Sequence, residues 1–269
     1  MSDFIPTPVP TATEISSPAG GLAHRPVYWL RALKALERLG SADEFSSEAA
    51  REFGAALEGD EGECAFRAFL CDSGAEALLS ERSDLAAALD DHEALAAMPE
   101  GSLGRAYLAL AEGDQISVQE LARGARNLPA ALRYSPDPLR SWYRERGTAL
   151  HDLHHVLTGY GRDVAGEAAL SAFCLGLEPK RVWRVAVILT SMAAPKRKLG
   201  RLLPYFFRAW KRGKKARIPA ATPWEDLLPT PLAELQGRLE IQPTSDIHPQ
   251  GIWKGDSGGA EWAAFPAAV

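Results

Sequence analysis

Between residues 25 and 241 the chain alternates stretches rich in Ala, Leu, Glu and Arg with Pro and Gly breakers, and alternating β-branched runs are nearly absent. Alanine and unbranched side chains lose little freedom in a helix, whereas half-buried strands need period-two patterning, so this feature predicts an all-α fold. Helices are predicted over Val27–Leu39, Ser46–Leu57, Ala65–Cys71, Gly74–Ser80, Ser83–Met98 and Leu103–Ala111. Asp137-Pro138 supplies an N-cap and a first-turn proline for a helix from Leu139 to about Thr158, where Gly159-Tyr160-Gly161 ends it. Further helices are expected from Asp163 to about Gly176, from Glu178-Pro179 to about Met192, over Leu199–Arg212 with Pro204 as a candidate kink, and over Pro231–Leu239. The expected architecture is one multi-helix, bundle-like domain at 25–241, with disordered tails at 1–24 and 242–269 that are rich in Pro, Gly, Ser and Thr. Trp253, Trp262 and Phe265 in the second tail are candidates to dock on the domain or on a partner.

One of these helices carries chemistry. In His151-Asp152-Leu153-His154-His155, four of five consecutive residues are metal-ligand or acid–base types. At ~100° per residue His151 and His155 share a face, Asp152 and His154 flank it, and Leu150, Leu153 and Leu157 point the other way. A solvated helix would show Lys, Arg or Glu on its polar side, yet residues 147–161 contain none. Two imidazoles one turn apart chelate a single divalent ion well, but a third ligand is needed. The Gly159–Gly161 turn reverses the chain and brings the next helix back. Glu167 is favoured as that ligand, with Gly166 leaving room beside it and Ala168 and Ala169 implying close helix packing; Asp163 is also within reach. Asp152 is a candidate ligand, general base or orienting group, and His154 a candidate proton shuttle. The alternative is a set of hydrogen-bonded core histidines near a helix end.

The spacing His151-Asp152-x-x-His155, eleven residues, then Glu167 resembles the HDxxH-x11-E motif of the coenzyme Q (ubiquinone) biosynthesis family. Pro99-Glu100-Gly101-Ser102-Leu103-Gly104 is similar to that family's PEGSLG segment, and Trp224-Glu225-Asp226-Leu227-Leu228 through Leu235, Arg238 and Leu239 to its closing segment. The resemblance implies a helical fold and a divalent metal on His151, Asp152, His155 and Glu167. Zinc is favoured, with iron, manganese or cobalt compatible with the ligand set. It implies a prenyl-lipid groove lined by Glu100, Gly101, Ser102, Leu103, Gly104 and Tyr107, although Ser102 also reads as the N-cap of a plain turn. It further implies a decarboxylating and hydroxylating activity on the C1 carbon of a prenylated hydroxybenzoate, or a non-catalytic scaffold that organises other ubiquinone-biosynthesis enzymes at the membrane. A metal-dependent hydrolase with Asp152 as base ranks lower, because no upstream His or downstream Asp is well placed.

Charge is unevenly distributed. Residues 41–115 hold 18 acidic and 4 basic side chains, whereas residues 191–223 hold 10 basic and no acidic ones, within a net charge of -5. The basic stretch interleaves Lys198, Arg201, Arg208, Lys211 and Arg212 with Phe206, Phe207 and Trp210. That pattern fits a helix lying on an anionic membrane, a nucleic-acid patch, or a solvated cationic face meeting the acidic half of the same chain. A membrane-resident substrate favours the first, and no nucleic-acid partner is expected. Cys64, Cys71 and Cys174 form no Cys-x-x-Cys pair, the N-terminus shows no basic stretch before an apolar run, and the longest apolar run is Ala106–Ala111. A cytoplasmic protein, peripheral on the inner face of the cell membrane and able to form a homodimer, is therefore expected.

Overall fold

Helix ends lie where capping residues stand. The computed structural model describes residues 25–41, 47–114, 137–193, 196–253 and 262–263, so the expectation for the lead at 1–24 lies outside the described residues. In chain order the helices are α1 (Trp29–Ser41), α2 (Ser47–Glu58), α3 (Glu61–Leu70), α4 (Ala75–Glu81), α5 (Leu85–Asp90), α6 (His92–Ala97) and α7 (Leu103–Asp114). They continue as α8 (Pro138–Thr158), α9 (Val164–Leu177), α10 (Arg181–Ala193), α11 (Lys196–Lys215), α12 (Trp224–Leu227), α13 (Leu232–Arg238) and α14 (Thr244–Ile247). A two-residue strand, β1 (Ile252–Trp253), pairs antiparallel with β2 (Trp262–Ala263).

The fold is all-α, and local chemistry corrects some expected ends. The single helix expected over Ser83–Met98 is two, because Asp84 and Asp91 each act as an N-cap, accepting from Ala87 N at 3.0 Å and from Ala94 N at 2.9 Å. α11 starts earlier and ends later than Leu199–Arg212 and runs through Pro204. Asp137 caps α8 with Pro138 inside its first turn, as its sequence predicts.

The main core joins α5–α9 and α11–α13, with Tyr107, Leu153, Phe173, Tyr205 and Trp224 at its centre. α9 is buried along most of its length, and its small residues let α11 cross it at backbone contact. A Cβ built on Gly213 would lie 1.9 Å from the Phe173 carbonyl oxygen, and one on Gly176 would lie 2.2 Å from that of Trp210. Arg146 reaches from α8 to the closing segment, where its guanidinium donates to both Glu225 carboxylate oxygens and to the Thr222 carbonyl. A smaller cluster packs α1 and α2 against Val182, Val185 and Leu189 of α10. The acidic N-terminal half partly closes on α8 and α10: Glu63 takes a bidentate pair from Arg140 at 2.9 Å, Glu58 pairs with Arg144 at 3.0 Å, and Glu61 with Arg181 at 3.5 Å. Among the described residues, Glu58, Glu61 and Glu63 thus pair with arginines of α8 and α10.

Packing also continues past the limit expected at residue 241. His248, Ile252 and Trp253 are buried, and Trp253 docks on the domain through Tyr205. His248 Nε2 lies 2.9 Å from the Tyr160 hydroxyl. Burial, reinforced by Arg212 and Arg208, pushes its pKa down to about 4 from 6.5. The folded state therefore keeps His248 neutral while the unfolded chain takes up a proton below about pH 6.5. Stability should fall as pH drops from about 6.5 to about 4, by at most ~1.4 kcal/mol per pH unit, and be untouched by this group at higher pH. Urea titrations from pH 7 to 5 are expected to show a shallower loss for His248→Gln than for the wild type; parallel losses would exclude the assignment.

Candidate metal centre

His151 and His155 occupy the last two turns of α8, where the four-residue spacing stacks their rings with centroids 4.9 Å apart. α8 ends because Gly159 adopts a left-handed φ of 74°, which costs glycine nothing, and its N–H returns to the His155 carbonyl at 2.8 Å. Asp163 then caps α9, accepting from Ala165 N at 3.1 Å and from Gly166 N at 3.2 Å. The turn lies so tightly on α9 that a Cβ on Gly166 would fall 2.0 Å from the Gly161 carbonyl oxygen. That close approach returns Glu167, on the first turn of α9, to the histidines.

Glu167 Oε1 lies 3.2 Å from His155 Nε2, and Oε2 lies 3.6 Å from His151 Nε2. One ligand atom from each of the three residues falls within 4.8 Å of the others. Two ligands ~2.0–2.1 Å from one tetrahedral ion stand roughly 3.3 Å apart, so these separations suit a shared divalent cation. The protonation pattern agrees. His155 Nδ1 is 2.9 Å from the Tyr160 carbonyl oxygen, which can only accept, so Nδ1 carries the proton. A neutral His155 then aims its Nε2 lone pair at a carboxylate, a repulsive arrangement unless a proton or a metal lies between. Burial alone would lower the His155 pKa, but its hydrogen bond to Glu167, that carboxylate's charge and the Tyr160 carbonyl raise it above the ordinary value. Burial alone would raise Glu167, but His155 and His151 bring it below the ordinary carboxylate range. His151 is lowered by burial and then by His155, and its Nδ1 is buried with no hydrogen-bond partner. The Trp183 ring stands edge-on to His151, 6.0 Å away. The His155 side chain is 1% exposed and that of Glu167 38%, so the cluster is anchored in the core and open on one side.

The remaining expected site residues lie elsewhere. Asp152 is not among the converging donors: Oδ1 pairs with Arg162 at 3.0 Å, and Oδ2 is buried without a hydrogen-bond partner. Its charge still favours the protonated forms of both neighbouring histidines. Burial, then His151, His155 and Lys180, push His154 down to about 3, so it is uncharged at neutral pH. Of the PEGSLG residues, Glu100 and Gly101 are exposed, while Ser102, Leu103, Gly104 and Tyr107 are buried. Ser102 Oγ caps α7 by accepting from Arg105 N at 3.3 Å, and the segment clamps the closing loop through Leu103 N to Thr230 O at 2.9 Å and Gly104 N to Leu228 O at 2.8 Å. The Ser102 contact is the one expected of a capped turn. Tyr107 is the member that reaches the centre electrostatically; burial and then Asp152 raise its phenol.

On α11, Arg201, Phe207, Arg208 and Lys211 are exposed and Trp210 is half-buried. Phe206 and Arg212 are corrections to the expected membrane face. Both point inward, and the Arg212 guanidinium donates to the Thr158 and Gln242 carbonyls. The side chain of Lys198 lies outside the described residues. Lys211 Nζ sits 4.6 Å from the Phe207 ring centroid, and Lys214 Nζ 5.1 Å from that of Trp210. Sequence reasoning missed Arg162, the Tyr160 carbonyl and Trp183, none of which carries a signal until the turn and α10 are in place.

The model of the coenzyme Q (ubiquinone) biosynthesis protein Coq4 family matches residues 66–245. The chain belongs to the Coq4 family. Similar Coq4 relatives include the mitochondrial ubiquinone biosynthesis protein of Yarrowia lipolytica, 26% identical over 171 residues, which are 63% of this chain and 62% of that protein. The mitochondrial homologue of Rattus norvegicus is 26% identical over 180 residues, 65% of this chain and 63% of that protein. The chain thus spans somewhat under two thirds of these relatives' length. A Nostoc punctiforme PCC 73102 protein solved by crystallography and assigned to ubiquinone biosynthesis superposes with a TM-score of 0.60 at 20% identity, covering 80% of this chain and 97% of that one. That likeness supports the Coq4 fold. The Coq4 match begins after α1 and α2, so these two helices lie outside it, while the metal centre lies inside.

Proposed function

We propose that this Coq4-family chain serves ubiquinone formation as a divalent-metal protein acting on the head group of a prenylated hydroxybenzoate, at the exchange of the C1 carboxyl for a hydroxyl. The observation that carries the reading is the convergence of His151, His155 and Glu167, with the carboxylate oxygens 3.6 and 3.2 Å from the two Nε2 atoms, between α8 and α9. A divalent ion held there would act as a Lewis acid toward a carboxylate or phenolate oxygen, and iron would add redox chemistry. The chain's own residues prepare the site. The Tyr160 carbonyl holds His155 in the Nδ1–H form, and Glu167 is kept ionised by its two histidines. Arg162 neutralises Asp152, so that the site beside it carries one uncompensated carboxylate rather than two. Replacing carboxyl by hydroxyl, with loss of carbon dioxide, is a net two-electron oxidation and needs an oxidant as co-substrate. Other ubiquinone-biosynthesis enzymes, a bilayer reached through α11 and a second copy of the chain are the proposed partners. Among the described residues no helix is long and apolar enough to cross a membrane.

The second reading is a non-catalytic lipid-binding scaffold, favoured by the exposed aromatic and basic side chains of α11. Mass spectrometry of quinone intermediates in a strain lacking the protein, complemented with wild type or His155→Ala, separates the two. The first reading expects a ring-carboxylated prenyl precursor to accumulate and His155→Ala to leave it accumulating. The scaffold reading expects His155→Ala to restore quinone, and unchanged quinone in the deletion strain would sink both.

A further inference from the structure

α1 packs the wrong way round for an ordinary surface helix. Its inward face is made of Ala32, Ala35 and the half-buried Leu36, whereas Trp29, Leu30 and Leu33 point outward, Leu30 with 78% of its surface exposed. At ~100° per residue these three span an arc of about 100°, so they form one stripe and are not scattered leucines. Exposed Lys34 flanks the stripe about 40° beyond Leu30, with exposed Arg31 behind it on the same side; exposed Glu37 stands in line with the stripe one turn further on. A large apolar stripe bordered by cations is the pattern of a helix lying in a bilayer interface, where lysine and arginine reach up to anionic headgroups. α1 packs against α10. α10 exposes Ile188 and Met192, and α11, which contacts α10, exposes Phe207 under Lys211. The large exposed apolar side chains of the described residues all fall on α1, α9, α10 and α11, and none on α2–α7, which lie in the acidic stretch 41–115. An anionic lipid surface is the occupant that satisfies both the apolar stripe and its cationic border.

We propose that α1, a helix outside the family-matched region, seats this chain on an anionic bilayer through Trp29, Leu30 and Leu33, with Arg31 and Lys34 at the headgroups. The inference rests on the bilayer contact proposed above for α11 and assigns the element that enters the interface; it is independent of the chemistry at the metal centre. The test is flotation of the full chain with vesicles of mixed phosphatidylcholine and phosphatidylglycerol, and with phosphatidylcholine alone, at low and high salt. Binding is expected to the mixed vesicles only, and to weaken with salt. The Leu30→Glu/Leu33→Glu double variant is expected to bind at least ~10-fold more weakly with an unchanged melting temperature, since both side chains are exposed. Lys34→Glu, which leaves the apolar stripe whole, is expected to weaken binding and flatten its salt dependence. Undiminished binding by the double variant alongside loss in Phe207→Glu overturns the role of α1 and leaves the α11 contact standing. Absence of vesicle binding by the wild type overturns both bilayer assignments but not the metal centre. A double variant that binds vesicles normally and changes only from dimer to monomer assigns the stripe to a second copy and overturns the proposal.

Discussion

Substituting His155 by alanine is expected to abolish binding of the divalent metal proposed for the His151–His155–Glu167 cluster. His155 is the buried anchor of the cluster, with Nδ1 bonded to the Tyr160 carbonyl and Nε2 3.2 Å from Glu167, so no neighbour can move into its place. Removing groups that merely orient a ligand costs ~10–100-fold in affinity, so losing a ligand should cost at least ~100-fold. Metal content after gel filtration, together with calorimetric titration of the metal-free protein with zinc, measures this. His154→Ala is the control and should keep its metal, because His154 is not among the converging donors. The pH dependence has a definite sign. The folded His155 pKa is raised, so at and below it a proton competes with the ion. Apparent affinity should climb as pH rises through that value and level off above it, with protons released on binding. Full metal retention in His155→Ala would falsify the site.

Gly213→Val should be the most destabilising single change on the scaffold. Its Cβ would lie 1.9 Å from the Phe173 carbonyl oxygen and 2.8 Å from the carbonyl carbon, so the clash is with backbone at the α9–α11 crossing. No rotamer relieves it, and the helices must separate, which opens voids along the core. Overpacking of this kind costs ~3 kcal/mol or more, corresponding to a fall in melting temperature of about 6–12 °C for a chain of this size. Gly147→Ala on α8 is the control: nothing stands within 4 Å of its Cβ, so it should be neutral or stabilise by ~0.5–1 kcal/mol. Urea unfolding of both variants measures the contrast, and a Gly213→Val midpoint equal to that of the wild type is incompatible with this crossing. Because α9 also carries Glu167, a residual folded fraction should bind metal more weakly.

Much of the centre was legible before any coordinates. The i, i+4 histidines, the glycine turn and the carboxylate twelve residues on are local in sequence, and two helices joined by five residues have few ways to pack. Asp152 was not legible, because its position one residue from His151 allows either face, and the choice depends on Arg162 swinging back from the turn. Which side of α1 is covered was not legible either: Trp29, Leu30 and Leu33 have helical spacing, but Ala32, Ala35 and Leu36 are the residues that face α2 and α10, which leaves the other three outside. The basic helix divided similarly, with Phe206 and Arg212 inward and Phe207 and Lys211 outward, on a rotation set by Gly213 against α9.

The sequence by itself determined what depends on near neighbours: the helical class, the capped ends at Asp137 and Asp163, and the ligand-bearing face of α8. Those follow from backbone propensity, capping and the 3.6-residue turn, which act within a few positions. Tertiary structure decided which charges meet, which face of each amphipathic helix is covered, and which of four motif residues converge on one point. Those outcomes depend on contacts between residues far apart in the chain, such as Glu63 with Arg140, Arg146 with Glu225 and Arg212 with Gln242, where packing geometry outweighs local preference.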